Sequence, residues 1–223
     1  MGNKRTTLTP SEAQAFYDRF GKKQDTQGFY ENPALDALIA HANFHEAQKV
    51  FEFGCGTGKY ASRLLKMHLS SSTKYLGCDV SPTMVNLATQ QLSHYSDRAK
   101  VLRSDGSIRF PISDHSVDHV VSNYVLDLLS EEDILLVFSE AHRVLISGGK
   151  LCLVSLTMGV TFLSRIVSFI WMSIFRIRPT IVGGCRPIFL ESYFDQECWQ
   201  LECQKVVTPF GVPSEVLILI KRI

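Results

Sequence analysis

A glycine-rich segment at residues 52–58 constrains the fold of this chain more than any other feature of the sequence. It reads EFGCGTG, follows a short apolar run and leads directly into a helical pattern. Glycines permit a tight turn in which a ligand approaches the backbone, and the first amides of a helix are free donors. A dinucleotide fingerprint that begins at Gly54 needs its third glycine at the position of Lys59. The observed form is instead E-x-G-x-G-x-G, which predicts a ligand-binding turn of a different kind.

Around this turn the sequence alternates short β-type runs with helical stretches. The β-type runs occupy residues 49–54, 74–80, 100–104, 117–123, 150–156, 203–207 and 216–221. The helical patterns occupy residues 11–21, about 33–42, 59–69, 84–94 and 131–146. Alternation at this spacing is typical of βαβ units, in which a mostly parallel sheet carries helices on both faces. The sequence therefore predicts a single α/β domain over residues 1–223, with a seven-stranded sheet that ends in an antiparallel terminal hairpin.

The charge balance and the cysteines limit the classes of partner. The chain has 23 Lys+Arg against 22 Asp+Glu, a net charge of +1. A broad electrostatic contact with nucleic acid needs many unpaired basic residues on one face, so we expect no nucleic-acid partner. The six cysteines form no CxxC pair and have no histidine nearby at metal-ligand spacing, so no metal site is predicted. Free cysteines within apolar runs favour a reduced, cytoplasmic protein.

The first residues of the chain carry no apolar core segment, which argues against a secretory signal. Gly2 and Thr6 do fit the loose M-G-x-x-x-[ST] pattern for N-myristoylation. Such a short match arises mostly by accident, so lipidation of Gly2 is the less favoured hypothesis.

Polar residues stand at the ends of three further strands of the predicted sheet. Asp79 lies at the end of the second β-type run, Asp105 follows the third and Asn123 ends the fourth. In an open α/β sheet, ligands bind where the carboxyl ends of the strands meet the following loops. A carboxylate at Asp79 can accept both hydroxyls of a ribose, and one at Asp105 can accept from an adenine amino group. Helix capping is the alternative role for Asp79, although Ser81 is already available as a cap.

Four motifs, in this order, carry a resemblance to a known family. FEFGCGTG, LGCDVSPTM, RSDG and VDHVVSNYVLDLL resemble the class I S-adenosylmethionine-dependent methyltransferases, in particular the small-molecule, methyltransferase type 11-like branch that includes the ubiquinone and menaquinone ring enzymes. The resemblance implies a Rossmann-like fold and S-adenosylmethionine as the cofactor. It assigns the methionine part to the glycine-rich loop, the ribose to Asp79 and the adenine face to Val80 and Met84. The full implied set is Glu52, Gly54, Cys55, Gly56, Gly58, Asp79, Val80, Met84, Asp105, Gly106 and Asn123.

The resemblance also divides the chain and limits the acceptor. It implies N-terminal lid helices at 1–43, a cofactor-binding core at 44–156, an apolar substrate-cap insertion at 157–190, and a closing helix and hairpin at 191–223. Family members that methylate nucleic-acid bases carry an Asn/Asp-Pro-Pro-Tyr/Phe loop, whereas this chain reads SNYV at 122–125. We therefore expect in-line methyl transfer to a small, largely apolar acceptor. The alternatives are a catalytically silent S-adenosylmethionine-binding partner or sensor protein and a membrane-associated lipid or quinone methyltransferase.

No convincing nucleophile–base constellation is visible, and methyl transfer from an activated donor depends mainly on positioning. Asp127, four residues beyond Asn123, is a candidate to orient the acceptor, with helix capping as an equally favoured role. In the aromatic-rich N-terminal segment, Tyr17 and Tyr30 are candidates to face the ligand, since aromatic faces stabilise a sulfonium cation. These three residues are the candidate catalytic residues.

The insertion at 157–190 differs from the rest of the chain. Between Glu140 and Glu191 the sequence has no acidic residue and six basic ones: Arg143, Lys150, Arg165, Arg176, Arg178 and Arg186. Residues 158–175 form an apolar run at the lower limit of membrane-spanning length, interrupted by serines, which we interpret as a buried or interfacial helix. We favour a roof over a hydrophobic acceptor pocket; peripheral membrane contact through 158–181 and a dimer interface are the alternatives.

Overall fold

The structure is a computed structural model that describes residues 7–222, so the lipidation pattern at Gly2 and Thr6 lies outside the described residues. Its strands form one seven-stranded sheet. They are β1 (Lys49–Phe53), β2 (Lys74–Asp79), β3 (Ala99–Arg103), β4 (Val117–Asn123), β5 (Leu145–Leu156), β6 (Trp199–Val207) and β7 (Ser214–Lys221).

The order of the strands across the sheet is β3-β2-β1-β4-β5-β7-β6. The first five in this order pair in parallel, while β7 pairs antiparallel with both β5 and β6. Along the chain, β2 and β3 extend the sheet on one side of β1, whereas β4 and β5 extend it on the other side. The strand order therefore switches between β1 and β4, and the carboxyl ends of strands at such a switch point form a ligand crevice. The predicted α/β fold, with a mostly parallel sheet and an antiparallel terminal hairpin, is confirmed.

Within residues 7–222, six α-helices surround the sheet. They are α1 (Pro10–Phe20), α2 (Gly28–Ala42), α3 (Lys59–Met67), α4 (Pro82–Gln91), α5 (Glu131–Val144) and α6 (Phe162–Ile177). Successive strand residues point to opposite faces, so Val50 joins one hydrophobic cluster with α2 and α3 while Phe51 joins another with α5. Each face of the sheet therefore has its own core, and the crevice lies between them at the end of β1.

The segment at 1–43 that the sequence predicts as a lid has two structural parts within the described residues. In α2, Ala34, Leu38 and Ala42 are completely buried and belong to the core cluster on one face of the sheet. The helix α1 has no buried residue, and a 3-10 segment at Gly21–Gln27 connects it to α2. The 3-10 segment thus covers the glycine-rich loop, with Gln24 beside Gly56, while α1 contacts the start of α4 through Asp18.

The closing helix predicted within 191–223 is not an α-helix in the structure. A 3-10 turn at Leu190–Tyr193 stands in its place. The Asp195 carboxylate accepts a hydrogen bond from the Glu197 amide (2.8 Å), and the Asp195 carbonyl accepts from the Trp199 amide (2.9 Å). This local turn leads directly into β6, so no helix forms between Tyr193 and β6. The strand β6 starts four residues earlier than the sequence pattern predicted.

The helix of the apolar insertion has the opposite orientation to the one its composition suggests. In α6, Ser164 and Ser168 are buried, whereas Phe162, Ile166 and Phe169 are exposed. The Ser168 hydroxyl accepts from the Gly159 amide (2.9 Å) and donates to the Ser164 carbonyl (2.8 Å). A side chain at Gly159 would clash with the Ser164 backbone, so small residues on the inner face let α6 pack closely. Of the two interpretations of this segment, a buried helix is therefore wrong, while an interfacial helix stays a prediction.

Among the residues that the structure describes, no helix has the length and apolarity needed to cross a membrane.

Candidate functional site

The glycine-rich loop after β1 needs glycine for steric reasons. Gly54, Gly56 and Gly58 have φ values of +77°, +51° and +76°, which side chains of L-residues rarely adopt. A Cβ at Gly54 would clash with Val125 Cγ2, and one at Gly58 would lie 2.9 Å from Ala88 Cα in α4. The loop thus passes close to the residues after β4 and lets α3 and α4 approach each other.

The end of β2 holds this loop through one carboxylate. Asp79 Oδ2 accepts from the Gly56 amide (3.0 Å), and Oδ1 accepts from the Ser81 amide (2.9 Å). Burial raises the pKa of the Asp79 carboxyl, and the two amide hydrogen bonds oppose that rise. Ser81 is the N-cap of α4, since its hydroxyl accepts from the Met84 amide (3.1 Å). Asp79 is therefore free of the capping role and lines a cavity at the switch point.

Two cavities meet at the carboxyl ends of β1 and β4. The first, of about 140 Å³, reaches toward α4, where Asp79, Val80 and Met84 line it. The second, of about 400 Å³, reaches toward α2 and α3, where Glu31, Glu52 and Thr57 line it. Five residues line both cavities: Gln24, Gly54, Gly56, Asn123 and Tyr124. The arrangement suits an elongated ligand that crosses the glycine-rich loop.

Two side-chain amides at the junction of the cavities lack hydrogen-bond partners. Both polar atoms of the Asn123 side chain, and Oε1 of Gln24, are buried without a partner. Leaving a buried polar group unsatisfied costs about 1–3 kcal/mol, so such groups point to a missing polar ligand. Asn123 is in the predicted set, but Gln24 is not. The segment around Gln24 reads GKKQDTQ, and no sequence pattern distinguishes this glutamine from the polar residues beside it. Only the 3-10 segment places Gln24 over the loop.

The second cavity contains carboxyl groups that favour a cationic ligand group. Glu52 is buried at the end of β1, and the Tyr75 hydroxyl donates to its Oε2 (2.5 Å). Burial raises the pKa of Glu52 to about 7 and that of Glu31, on α2, also to about 7. A positive charge placed between these carboxyls would lower both pKa values and stabilise their ionised forms. The second cavity thus fits an ammonium group.

These raised pKa values predict that the ligand-free protein loses stability as the pH rises. The folded state binds protons at Glu52 that the unfolded state has released, so stability is highest near pH 5 and falls through about pH 7. We expect the free energy of unfolding to fall by on the order of 2 kcal/mol between these conditions. Urea unfolding at several pH values would measure this.

The variant Glu52→Gln should show a weaker dependence on pH, because it removes one titrating group and keeps an acceptor for Tyr75. Glu132→Gln, at an exposed position of α5, is the matched control and should follow the wild type. An identical pH slope in Glu52→Gln and the wild type would contradict the assignment.

Of the three candidate catalytic residues, Tyr17 lines the first cavity. Burial raises the pKa of the Tyr17 hydroxyl well above its ordinary value, and Cys185, Asp127 and Asp79 act in the same direction. The Tyr17 hydroxyl therefore stays protonated near neutral pH.

Asp127 lies in a 3-10 turn at Leu126–Leu128 and is completely buried. Its Oδ2 accepts from the Leu156 amide (3.2 Å), while Oδ1 has no partner. Burial raises the pKa of Asp127 to about 7, although the positive charge of Arg186 opposes the rise. The alternative role as a helix cap is wrong, because Ser130 is the N-cap of α5. Asp127 is not among the residues that line either cavity, so its role toward an acceptor stays a prediction.

Three other members of the predicted set do not line the cavities. Tyr30 is buried behind Tyr124, with ring centroids 6.0 Å apart, and Gly58 serves the packing of α3 on α4. Asp105 is exposed, and its carboxylate accepts from the Ser107 amide (2.9 Å). This local hydrogen bond engages Asp105 in the loop after β3, while its neighbours Ser104 and Gly106 line the first cavity. Cys55 is buried and lines the second.

Within residues 7–222, the structure brings no group of three or more His, Cys, Asp or Glu side chains into an arrangement that could hold a metal ion.

Comparison with known proteins finds one matching family, described as a methyltransferase domain, over residues 50–149. Among curated proteins, the chain is similar to the tRNA N(3)-methylcytidine methyltransferase Mettl2 of Drosophila melanogaster. The two are 26% identical over 151 residues, which are 63% of this chain and 46% of the fly protein. The chain thus spans less than half the length of that relative. Because the relative is named for a tRNA substrate, the comparison does not support the exclusion of nucleic acid made from the charge balance.

Solved structures share the whole fold at low sequence identity. A putative methyltransferase of Haloferax volcanii, solved in complex with the methyltransferase activator Trm112, has a TM-score of 0.73 at 16% identity, covering 95% of this chain and 98% of that one. The [4+2]-cyclase SpnF has a TM-score of 0.71 at 13% identity, covering 97% of this chain and 98% of that one. At these identities the likeness shows the fold, and the chemistry has to come from the site.

Proposed function

Because this chain belongs to the class I S-adenosylmethionine-dependent methyltransferases, we propose that it binds S-adenosylmethionine across the two cavities and transfers the methyl group to a small, largely apolar acceptor. The observation that carries the proposal is a set of buried atoms without a hydrogen-bond partner, Oε1 of Gln24 and both polar side-chain atoms of Asn123, on residues that line both cavities. A ligand that crosses the glycine-rich loop would satisfy both side chains.

The residues at the switch point fit the parts of this cofactor. Asp79 would hold the ribose hydroxyls, and Val80 and Met84 would contact the adenine. On the other side of the loop, Glu52 and Glu31 would face the ammonium group of the methionine part. These assignments match the polarity of each cavity, since carboxyls line the second and apolar side chains dominate the first. The bound cofactor would supply a methyl group already activated on a sulfonium.

The contribution of the protein to such a reaction is positioning and the exclusion of water. The 3-10 segment covers the loop, because the Thr57 hydroxyl donates to Asp25 Oδ1 (2.9 Å) and Lys59 donates to the Asp25 carbonyl (3.4 Å). The ring of Tyr17 lies edge-on to that of Phe16, with centroids 5.2 Å apart, and lines the first cavity. We propose that Tyr17 orients the acceptor. Asp127 would contribute indirectly, by holding the segment around Arg186 in place, since the Arg186 amide donates to the Asp127 carbonyl (3.0 Å).

We propose that the adenosine part and the acceptor share the first cavity, whose walls favour a small, largely apolar acceptor. These walls include Phe53, Ile108, Val125, Leu128 and Leu129. Such walls exclude water and give little electrostatic attraction to a polyanion, so a tRNA acceptor is the less favoured alternative.

A single cytoplasmic domain is part of the same proposal. All six cysteines are free, which suits a reducing compartment.

Calorimetric titration with S-adenosylmethionine and S-adenosylhomocysteine tests the first step. We expect both to bind the wild type, and Asn123→Ala to weaken binding about tenfold because the ligand loses an amide partner. Asn86→Ala, at an exposed position of α4, is the matched control and should bind as the wild type does. If neither ligand binds the wild type, the proposal fails.

Turnover separates an enzyme from the alternative of a catalytically silent partner or sensor protein. Release of S-adenosylhomocysteine would be followed with phenols, quinols, amines, lipid acceptors and unmodified tRNA as substrates. Turnover of a small apolar compound supports the proposal, whereas turnover of tRNA alone replaces its acceptor class. Cofactor binding without turnover across the panel would favour the sensor.

A further inference from the structure

The outward face of α6 is apolar and has no partner within the described part of the chain. Phe162 is 83% exposed, Phe169 71% and Ile177 81%. The buried positions of this helix are Ser164, Ser168 and Phe175. Large apolar side chains therefore face outward on a helix whose inner face includes two serines, which is the reverse of an ordinary surface helix.

The apolar surface continues beyond α6 onto two other elements. Phe210, 77% exposed, has a φ of +53°, and at the adjoining Gly211 an added Cβ would lie 3.2 Å from Leu163 Cγ. The exposed ring of Phe29 lies 5.7 Å from that of Phe210, measured between centroids. We call this surface the outer apolar face; it comprises Val160, Phe162, Leu163, Ile166, Phe169, Ile170, Ile177, Phe210 and Phe29. Contiguous apolar surface of this kind marks an interaction site.

Positive charges border one edge of the outer apolar face. Arg165 and Arg176 are eleven residues apart, about three helical turns, so they lie on the same side of α6. Both are exposed, as is Arg178 just after the helix. Within residues 7–222, none of these three arginines takes part in an ion pair, and the sequence has no acidic residue between Glu140 and Glu191. The charge is therefore available to an anionic partner.

We propose that the outer apolar face docks on the surface of an anionic lipid bilayer, with its aromatic and aliphatic side chains at the acyl boundary and its arginines on lipid phosphates. An apolar helix face with basic residues at its edge is the arrangement by which interfacial helices bind such membranes. A helix of 16 residues is about 24 Å long, which suits a position in the plane of the interface. A second copy of the chain fits less well, because a twofold contact would bring the uncompensated arginines of both copies together.

This docking would bring the lipid surface close to the first cavity. Trp171 Nε1 on α6 donates to the Cys185 carbonyl (2.9 Å). The neighbouring Gly184 packs against Leu8 and Leu128, which line the first cavity. A single layer of chain thus separates the outer apolar face from the proposed acceptor site. Docking itself does not depend on the proposed methyl transfer. The use of an acceptor dissolved in the bilayer does rest on that proposed function.

Flotation with vesicles of phosphatidylcholine, with or without phosphatidylglycerol, tests the docking. The wild type should float with the phosphatidylglycerol vesicles, and less so as salt is added. The double variant Phe162→Asp/Phe169→Asp should reduce the floating fraction at least about tenfold, because binding scales with buried apolar area. Arg165→Glu/Arg176→Glu should lose the preference for the anionic vesicles. Leu136→Asp is the matched control, since Leu136 is an exposed apolar residue on α5, outside the outer apolar face.

Each variant is also titrated with S-adenosylhomocysteine, so that retained cofactor binding reports a folded protein independently of docking. Absence of the wild type from the floating fraction, or flotation of Phe162→Asp/Phe169→Asp at the wild-type level, would overturn the proposal. Light scattering tests the alternative that a second copy of the chain covers the outer apolar face. A wild-type dimer that becomes monomeric in the same double variant, without flotation, would show that a second copy covers this face.

Discussion

Replacing Gly54 with alanine is expected to weaken S-adenosylmethionine binding at least about 100-fold. Gly54 has a φ of +77°, where an L-side chain costs about 1–2 kcal/mol. Its added Cβ would also clash with Val125 Cγ2, and Val125 lines the first cavity. Relief of the clash therefore moves either the loop or the cavity wall, and both lie where the cofactor would bind. Calorimetric titration of the variant would measure the loss.

The matched control for this change is Gly148→Ala. Gly148 has nearly the same φ, +74°, but an added Cβ there has no atom within 4 Å. It should lower the melting temperature through backbone strain alone and leave cofactor affinity unchanged. If Gly54→Ala binds S-adenosylmethionine within about threefold of the control, the close approach of loop and cavity wall does not govern binding.

Asp79→Ala is expected to weaken cofactor binding by at least about 1.5 kcal/mol, or roughly tenfold or more. The change removes the proposed ribose acceptor and also the hydrogen bonds from the Gly56 and Ser81 amides. The loop then loses its attachment to the end of β2, so part of the effect arises from disorder of the glycine turn. Titration with S-adenosylhomocysteine would measure the change in dissociation constant.

Asp105→Ala is the control, and it also tests the sequence-based assignment of the adenine edge. Asp105 is exposed and bonded within its own loop, so we expect affinity within about threefold of the wild type. A loss equal to that of Asp79→Ala would restore Asp105 to the binding site. An unchanged dissociation constant in Asp79→Ala would instead show that the ribose is bound elsewhere.

The sheet and the loop at its centre could be read from the sequence because their signals are local. The run around Val50 and the glycines at 54, 56 and 58 depend on alternation and on backbone conformations that neighbouring residues specify. The predicted order of motifs also placed Asp79 and Asn123 at the carboxyl ends of β2 and β4, the two strands that flank β1 in parallel, where both line the cavities. Parallel pairing places the carboxyl ends of these strands at one edge of the sheet, so residues at those ends come together without any other contact being specified.

Other features of the structure did not follow from the sequence pattern. The predicted closing helix after Glu191 gave way to a turn set by Asp195 and by the entry into β6. No local pattern identifies Gln24, since only the packing of the 3-10 segment over Gly56 brings its amide to the cavities. Asp105 has the residue type that the family pattern requires, and its carboxylate accepts from the Ser107 amide in its own loop, so its assignment to the adenine edge stays a prediction.

The sequence by itself determined the α/β class, the glycine-rich turn and the carboxylate at the end of the second strand, because hydrophobic period and backbone preference act over a few residues. Only the tertiary structure decided which face of α6 points outward. Composition favours burial of its phenylalanines and isoleucines, yet close packing at Gly159 and the hydrogen bonds of Ser164 and Ser168 turn the serines inward. That choice also depends on contacts that form only in the folded chain, such as Gly211 against Leu163 and Val167 of α6, and it leaves the apolar residues and their arginines exposed.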